Sequence, residues 1–176
     1  GAPFTFSPGD GFSSGATSFA WPLLLAPFYL VGFRGLTLVW VVWLLGTLLH
    51  AALAVETKRL VEGLCGKVAG VGAAAMCLLF GAFAWFAWSG METIALAWSM
   101  TRAARVLSEL AETDSAARSS RRAWGAALIC ALCPLLRPEG GIFALAGAGY
   151  LAVFGPPAAS WRARLATRWL SALPLL

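Results

Sequence analysis

Few side chains in this chain are ionisable, and four of them lie where they could act on a substrate. Glu92 lies between two apolar segments, Asp10 lies in a Gly/Ser-rich stretch, and Arg137 and Glu139 share the junction Arg137-Pro-Glu-Gly140. An arginine can bind two oxygens of a phosphate group, and a carboxylate can position a hydroxyl group or accept its proton. Together these residue types suit a lipid-linked phosphosugar.

A purely structural role also explains each residue taken alone. Helix junctions lie near the lipid headgroups, where a carboxylate or a guanidinium group is readily solvated. Glu92 precedes a predicted helix, and a negative charge there is stabilised by the positive end of the helix dipole. A functional role gains weight only if the polar segments lie on one face of the membrane.

The composition indicates a membrane protein. Of the 176 residues, 60% are hydrophobic and only 12% are charged, and the mean hydropathy is +0.77. Apolar stretches recur along the chain, which argues against a cleaved signal peptide followed by a soluble domain. The net charge of +5 does not indicate nucleic acid, because the basic residues lie between apolar segments and are not interleaved with aromatic residues.

The four cysteines do not predict a metal site. Cys130 and Cys133 form a C-x-x-C motif, but the motif lies inside an apolar segment and no second pair of ligands has metal-binding spacing. Both residues are therefore expected to pack against lipid or a neighbouring helix. The sequence identifies no cofactor, and it leaves a requirement for a divalent metal open.

The predicted fold class is all-α: a polytopic bundle of transmembrane helices, with an extracytoplasmic loop and a short juxtamembrane helix at the N-terminus. The loop covers 1–18, and segment 19–33 is too short to span and holds two prolines, which suggests a juxtamembrane or re-entrant helix. The chain is interpreted as a fragment of a longer protein. The predicted spans are 36–55, 68–88, 93–107, 123–136 and 141–154, and 169–176 is the predicted start of a further helix.

The distribution of basic residues predicts the orientation. Lysine and arginine collect in cytoplasmic loops, and here most of them fall into three regions that alternation of the spans places on one side. The segments Ser89–Thr93 and Arg137–Gly140 and the N-terminal loop then share the opposite, outer side. The three basic regions contain Lys58, Arg59 and Lys67; Arg102, Arg105, Arg118, Arg121 and Arg122; and Arg162, Arg164 and Arg168.

Four short motifs carry a resemblance to a known family. They are Phe4-Thr-Phe-Ser-Pro-Gly-Asp10, Ser14-Gly-Ala-Thr-Ser18, Ser89-Gly-Met-Glu-Thr93 and Arg137-Pro-Glu-Gly140. Their order and spacing resemble those of bacterial membrane glycosyltransferases of the GT-C fold across most of the chain. This resemblance implies a multi-pass enzyme of the cytoplasmic (inner) membrane, surrounded by membrane lipids, with an extracytoplasmic active face. It would transfer a sugar from a polyprenyl-phosphate donor to a glycan, lipid or protein acceptor.

The resemblance also implies where substrate would bind. Glu92, Arg137 and Glu139 match polar positions that border the family's site, and Asp10 matches a loop position that follows the family's acidic pair. That pair is expected before Gly1, so the catalytic residue is expected outside this sequence. Two other hypotheses stay open: a polytopic transporter or lipid flippase, and a noncatalytic membrane subunit.

Overall fold

The described part of the chain is built from helices. The computed structural model describes residues 18–113 and 120–154, of which 88% are helical, with no strand among them. The predicted all-α class is thereby confirmed. In chain order the helices are α1 (Ala20–Leu30), α2 (Leu36–Cys65), α3 (Lys67–Leu79), α4 (Gly81–Trp88), α5 (Thr93–Glu112), α6 (Ser120–Leu136) and α7 (Gly141–Phe154), with a 3-10 turn at Pro138–Gly140.

Two helices extend beyond the apolar segments that predicted them. Helix α2 continues past residue 55 to Cys65, and α5 continues past residue 107 to Glu112. Hydropathy marks where a segment stops being apolar, whereas a helix continues as long as its polar residues find partners. Here they do, through the ion pairs Lys58–Glu62 and Arg105–Glu109, each four residues apart on its helix.

The segment 68–88, predicted as one span, is bent by 55° into α3 and α4. Phe80, at the break, is extended with φ −72° and ψ 105°. The carbonyl oxygen of Cys77, one turn before the bend, lies 3.1 Å from His50 Nε2 of α2. Since a carbonyl only accepts, His50 Nε2 carries the proton and donates. A side chain from α2 thus donates a hydrogen bond to a carbonyl group that, in a continuous helix, would accept from a backbone N–H of the same helix.

The helices pack with α2 against α3, α4 and α5, and with α6 between α5 and α7. Small residues allow close approach where two of these pairs meet. Gly46 of α2 lies against the carbonyl group of Ala87 in α4, and Gly147 of α7 lies against the Cys130 side chain of α6. Cys130 and Cys133 are buried, free thiols facing α7, and Cys77 is also buried, whereas Cys65 is exposed.

Only part of the predicted membrane arrangement is visible in the described residues. By length and composition α2 can cross a membrane, and the bent pair α3–α4 passes the same test if it counts as one span. Only 22% of the most apolar 18-residue window of α2 is buried, unlike the core helix of a soluble protein. One or two candidate spans do not establish a polytopic bundle, which stays a prediction.

The close contact of α2 and α4 can be tested by substitution. We expect Gly46→Ala to lower the free energy of unfolding by about 3 kcal/mol, because the new Cβ would overlap the backbone carbonyl of Ala87, which cannot turn away as a side chain could. Thermal unfolding of the purified protein in detergent measures the loss. Gly63→Ala on the same helix is the control, since its Cβ would meet no atom within 4 Å. Equal stability of both variants would contradict the contact.

Candidate functional site

Three chain junctions meet at one end of the helices. The backbone N–H of Phe19, before α1, donates to the carbonyl oxygen of Leu135 at 3.0 Å. The indole Nε1–H of Trp21 donates to the carbonyl oxygen of Gly90 at 2.9 Å. These bonds join the beginning of α1 to the end of α6 and to the turn between α4 and α5. Alternation of the predicted spans placed these polar segments on one side of the membrane. Their described parts lie together in the structure.

Local sequence explains how Arg137 reaches this end. Helix α6 stops at Leu136, and Arg137 is extended with φ −153° and ψ 142°, the conformation favoured before a proline. The 3-10 turn that follows brings Gly140 back against the carbonyl group of Cys133, where a Cβ would overlap the backbone. Glycine at this position therefore permits the tight turn that places Arg137 and Glu139 side by side.

Arg137 lies between two carboxylates. Its Nε is 3.6 Å from Oε1 of Glu92 and 3.5 Å from Oε2 of Glu139, and its Nη1 donates to Thr93 Oγ1 at 3.2 Å. Glu92 begins α5, where the helix dipole adds to the attraction for its negative charge. The structure thus brings together three of the four residues that sequence analysis selected for substrate binding. The fourth, Asp10, lies outside the described residues.

The cluster is only partly satisfied by its own members. Arg137 Nε is a buried atom that donates no hydrogen bond to any described residue, although the carboxylates are close. The Arg137 side chain as a whole retains access to solvent and is 26% exposed. One positive charge faces two negative charges. The arrangement can therefore accept an oxyanion at the guanidinium group if one carboxylate yields its place.

An apolar groove opens beside this cluster. Trp43 Nε1–H donates to the carbonyl oxygen of Trp88 at 2.9 Å, which holds α2 against the end of α4. The groove lies between residues of α2 and the end of α4, and its lining reaches Gly90, two residues before Glu92 in the sequence. Its lining includes Gly35, Leu38, Val39, Val42, Trp43, Trp88, Ser89 and Gly90.

A second charged cluster occupies the other end of α2 and α5. Glu56 Oε1 accepts from Arg102 Nη1 at 2.6 Å, and Glu56 Oε2 accepts from Arg105 Nε at 2.5 Å. The Glu56 side chain is only 4% exposed, and Arg105 also binds Glu109. At 1.5 Å of rise per residue, Trp43 and Glu56 of α2 are about 20 Å apart, so the two clusters are well separated.

Sequence analysis missed this second cluster as a structural unit. It treated Arg102 and Arg105 as markers of the cytoplasmic side and did not pair them with Glu56. A signal was present, since one acid follows the apolar part of α2 and two arginines three residues apart share a face of α5. Because the Glu56 carboxylate binds both guanidinium groups, we assign this cluster a structural role in holding α2 and α5 together.

No trio of metal-ligand side chains forms within residues 18–113 and 120–154. Comparison of the chain with protein-family profiles, with curated proteins and with solved structures finds no match.

Proposed function

We propose that this chain is part of a polytopic membrane glycosyltransferase. It would transfer a sugar from a polyprenyl-phosphate donor to a glycan, lipid or protein acceptor on the outer face of the inner membrane. The observation that carries the proposal is the cluster of Glu92, Arg137 and Glu139, because each residue comes from a motif that resembles the GT-C family.

The surface of α2 supports a membrane setting. Large apolar side chains point outward along its length, a pattern that suits contact with lipid chains better than contact with water. Apart from Arg34, the other basic residues of the described chain gather at the far end of the helices from Arg137, which favours an outer position for the cluster. The exposed apolar residues of α2 include Val39, Trp40, Trp43, Leu44, Leu48 and Val55.

The chemistry assigned to the cluster is binding of the donor phosphate. In an inverting transfer, the acceptor hydroxyl oxygen attacks the anomeric carbon and forms the new glycosidic bond. The bond from that carbon to the phosphate oxygen breaks, and its electron pair stays on the phosphate. The hydroxyl proton passes to a base, and we assign that base to none of the described residues. Arg137 would hold the phosphate and stabilise the negative charge that grows on it.

The apolar groove beside the cluster fits this substrate class. Its lining includes Gly90, two residues before Glu92, so a chain lying against Trp43 and Trp88 could place its phosphate end toward Glu92 and Arg137. We propose that the groove takes the first isoprene units of the donor. A lipid-linked substrate would then keep its tail in the bilayer while the sugar reaches the aqueous side.

A lipid flippase or transporter is the second candidate, and the bend between α3 and α4 favours it. Transporter sites often lie at broken helices near the middle of the membrane. At this bend, however, the carbonyl group of Cys77 accepts a hydrogen bond from His50, and the ring of His50 packs against Phe83. The charged residues lie at the helix ends, which favours the transferase.

Reconstitution of the full-length protein distinguishes the two candidates. Proteoliposomes receive polyprenyl-phosphate donors with a labelled pentose or hexose, and hydrolysis is counted as transfer to water because the natural acceptor is unidentified. We expect the protein to cleave the bond between sugar and phosphate. Movement of intact donor across the bilayer, with no cleavage and no glycosylated product, would reject the transferase and support the flippase.

A further inference from the structure

The two carboxylates beside Arg137 differ in their surroundings. The side chain of Glu92 is 10% exposed, whereas that of Glu139 is 69% exposed. Glu92 stands at the beginning of α5, packed among helices, and Glu139 stands on a short turn at the surface. Moving Glu92 away would disturb the packing of a helix end, but Glu139 can turn into water by rotation of its own side chain.

Exposure, and not distance, makes Glu139 the more easily displaced of the two carboxylates. Glu139 and Glu92 approach Arg137 Nε at 3.5 Å and 3.6 Å, both long for a charge-assisted hydrogen bond, and Nε donates to no described residue. A side chain this exposed is screened by water and salt. An anion that offers Nε a shorter bond can therefore displace Glu139 while Glu92 stays in place.

The charge of Glu139 affects the donor and the product of the transfer differently. Arg137 and Glu92 neutralise each other, so Glu139 supplies one unit of excess negative charge beside any bound phosphate. The donor is a phosphodiester with one negative charge, whereas the product is a phosphomonoester that carries between about 1.5 and 2 at neutral pH. Repulsion by Glu139 is thus stronger for the product than for the donor.

We infer that Glu139 is an internal competitor of the phosphate for Arg137, and that its charge speeds release of the polyprenyl-monophosphate product. Glu92 is the positioning residue that keeps the guanidinium group in place when Glu139 moves aside. This inference rests on the proposed function, because it assigns parts within the same site to donor binding and product release.

Glu139→Gln in the full-length protein tests the inference. We expect decaprenyl monophosphate in nanodiscs to bind about tenfold more tightly to this variant than to the wild type, and donor KM to fall by only about threefold. Turnover would become more sensitive to inhibition by decaprenyl monophosphate. Glu139→Asp keeps the charge and should resemble the wild type. Glu92→Gln should weaken binding of both ligands, because Arg137 loses its fixed partner.

Glu109→Gln is the matched control. Glu109 is also an exposed carboxylate bound to a partly buried arginine, but it lies at the opposite end of the helices. Its replacement should leave the affinity for decaprenyl monophosphate unchanged. An equal gain in Glu109→Gln would mean that net charge alone governs binding, and it would overturn the inference.

The remaining outcomes separate this inference from the proposed function. Unchanged or weaker binding of decaprenyl monophosphate to Glu139→Gln, or no binding to any form of the protein, overturns the inference even if sugar transfer is observed. Tighter binding without sugar transfer rejects the transferase and leaves the competition intact. Inorganic phosphate is the second probe, and tightening confined to it would overturn the inference, because the anion that displaces Glu139 would not be lipid-linked.

Discussion

Replacement of Arg137 by alanine is expected to lower sugar transfer by at least about a hundredfold. Loss of one group that stabilises a developing oxyanion typically costs two to three orders of magnitude in rate. In addition, Glu92 would lose the cation that compensates its charge in a mostly buried position. The quantity to measure is kcat/KM for cleavage of a polyprenyl-phosphate sugar by the full-length protein.

Two further variants define what Arg137 contributes. Arg137→Lys keeps the positive charge but cannot bind two oxygens in the arginine geometry, so we expect intermediate activity. Arg34→Ala removes another arginine, which lies before α2 with its guanidinium group over the ring of Tyr29 and outside the cluster. It should retain wild-type activity. Retention of activity by Arg137→Ala, within about threefold, would remove this residue from the mechanism.

Replacement of Glu56 by alanine is expected to lower the free energy of unfolding by about 3 kcal/mol. The Glu56 carboxylate binds two guanidinium groups, and removing one member of a buried ion cluster leaves the others without compensation. The expected loss lies at the lower end of the range for breaking a buried ion pair, because the Arg102 side chain reaches solvent. Because α2 and α5 are joined here, the loss should weaken their packing.

Chemical or thermal unfolding in detergent measures this effect. Glu62→Ala is the matched control, since Glu62 lies on the same helix and binds Lys58, but at the surface. Surface ion pairs contribute little, so the control should unfold close to the wild type. Equal losses in the two variants would show that burial of the Glu56 cluster contributes nothing beyond a surface pair.

The helices themselves could largely be predicted from the sequence, because they follow runs of apolar residues. The break at Phe80 could not. No proline marks it, and the bend depends on His50, which lies 27 residues away from Cys77 along the chain. The polar extensions of α2 and α5 escaped prediction because the apolar pattern ends before them, while the ion pairs Lys58–Glu62 and Arg105–Glu109 continue the helices. The contacts of Glu56 with arginines 46 and 49 residues later could not be read from the spacing of either segment alone.

For the candidate site, alternation of the predicted spans was enough to place Glu92 and Arg137 at the same end. It could not predict which carboxylate is buried. Both glutamates follow an apolar helix in sequence, and only the packing of the α4–α5 turn against α1 and α6 separates their environments. The contact of Trp21 with Gly90 belongs to the same packing, and nothing in the local sequence of either residue indicates it.

The uneven exposure of the native thiols makes the membrane orientation directly measurable. Cys77, Cys130 and Cys133 are buried between helices, and Cys65 alone is exposed. Replacing that one residue by serine leaves a background on which polar maleimides should react slowly. Single cysteines introduced at Ser89 and at Arg59 would then report from which side of the bilayer a membrane-impermeant reagent reaches each end of the helices.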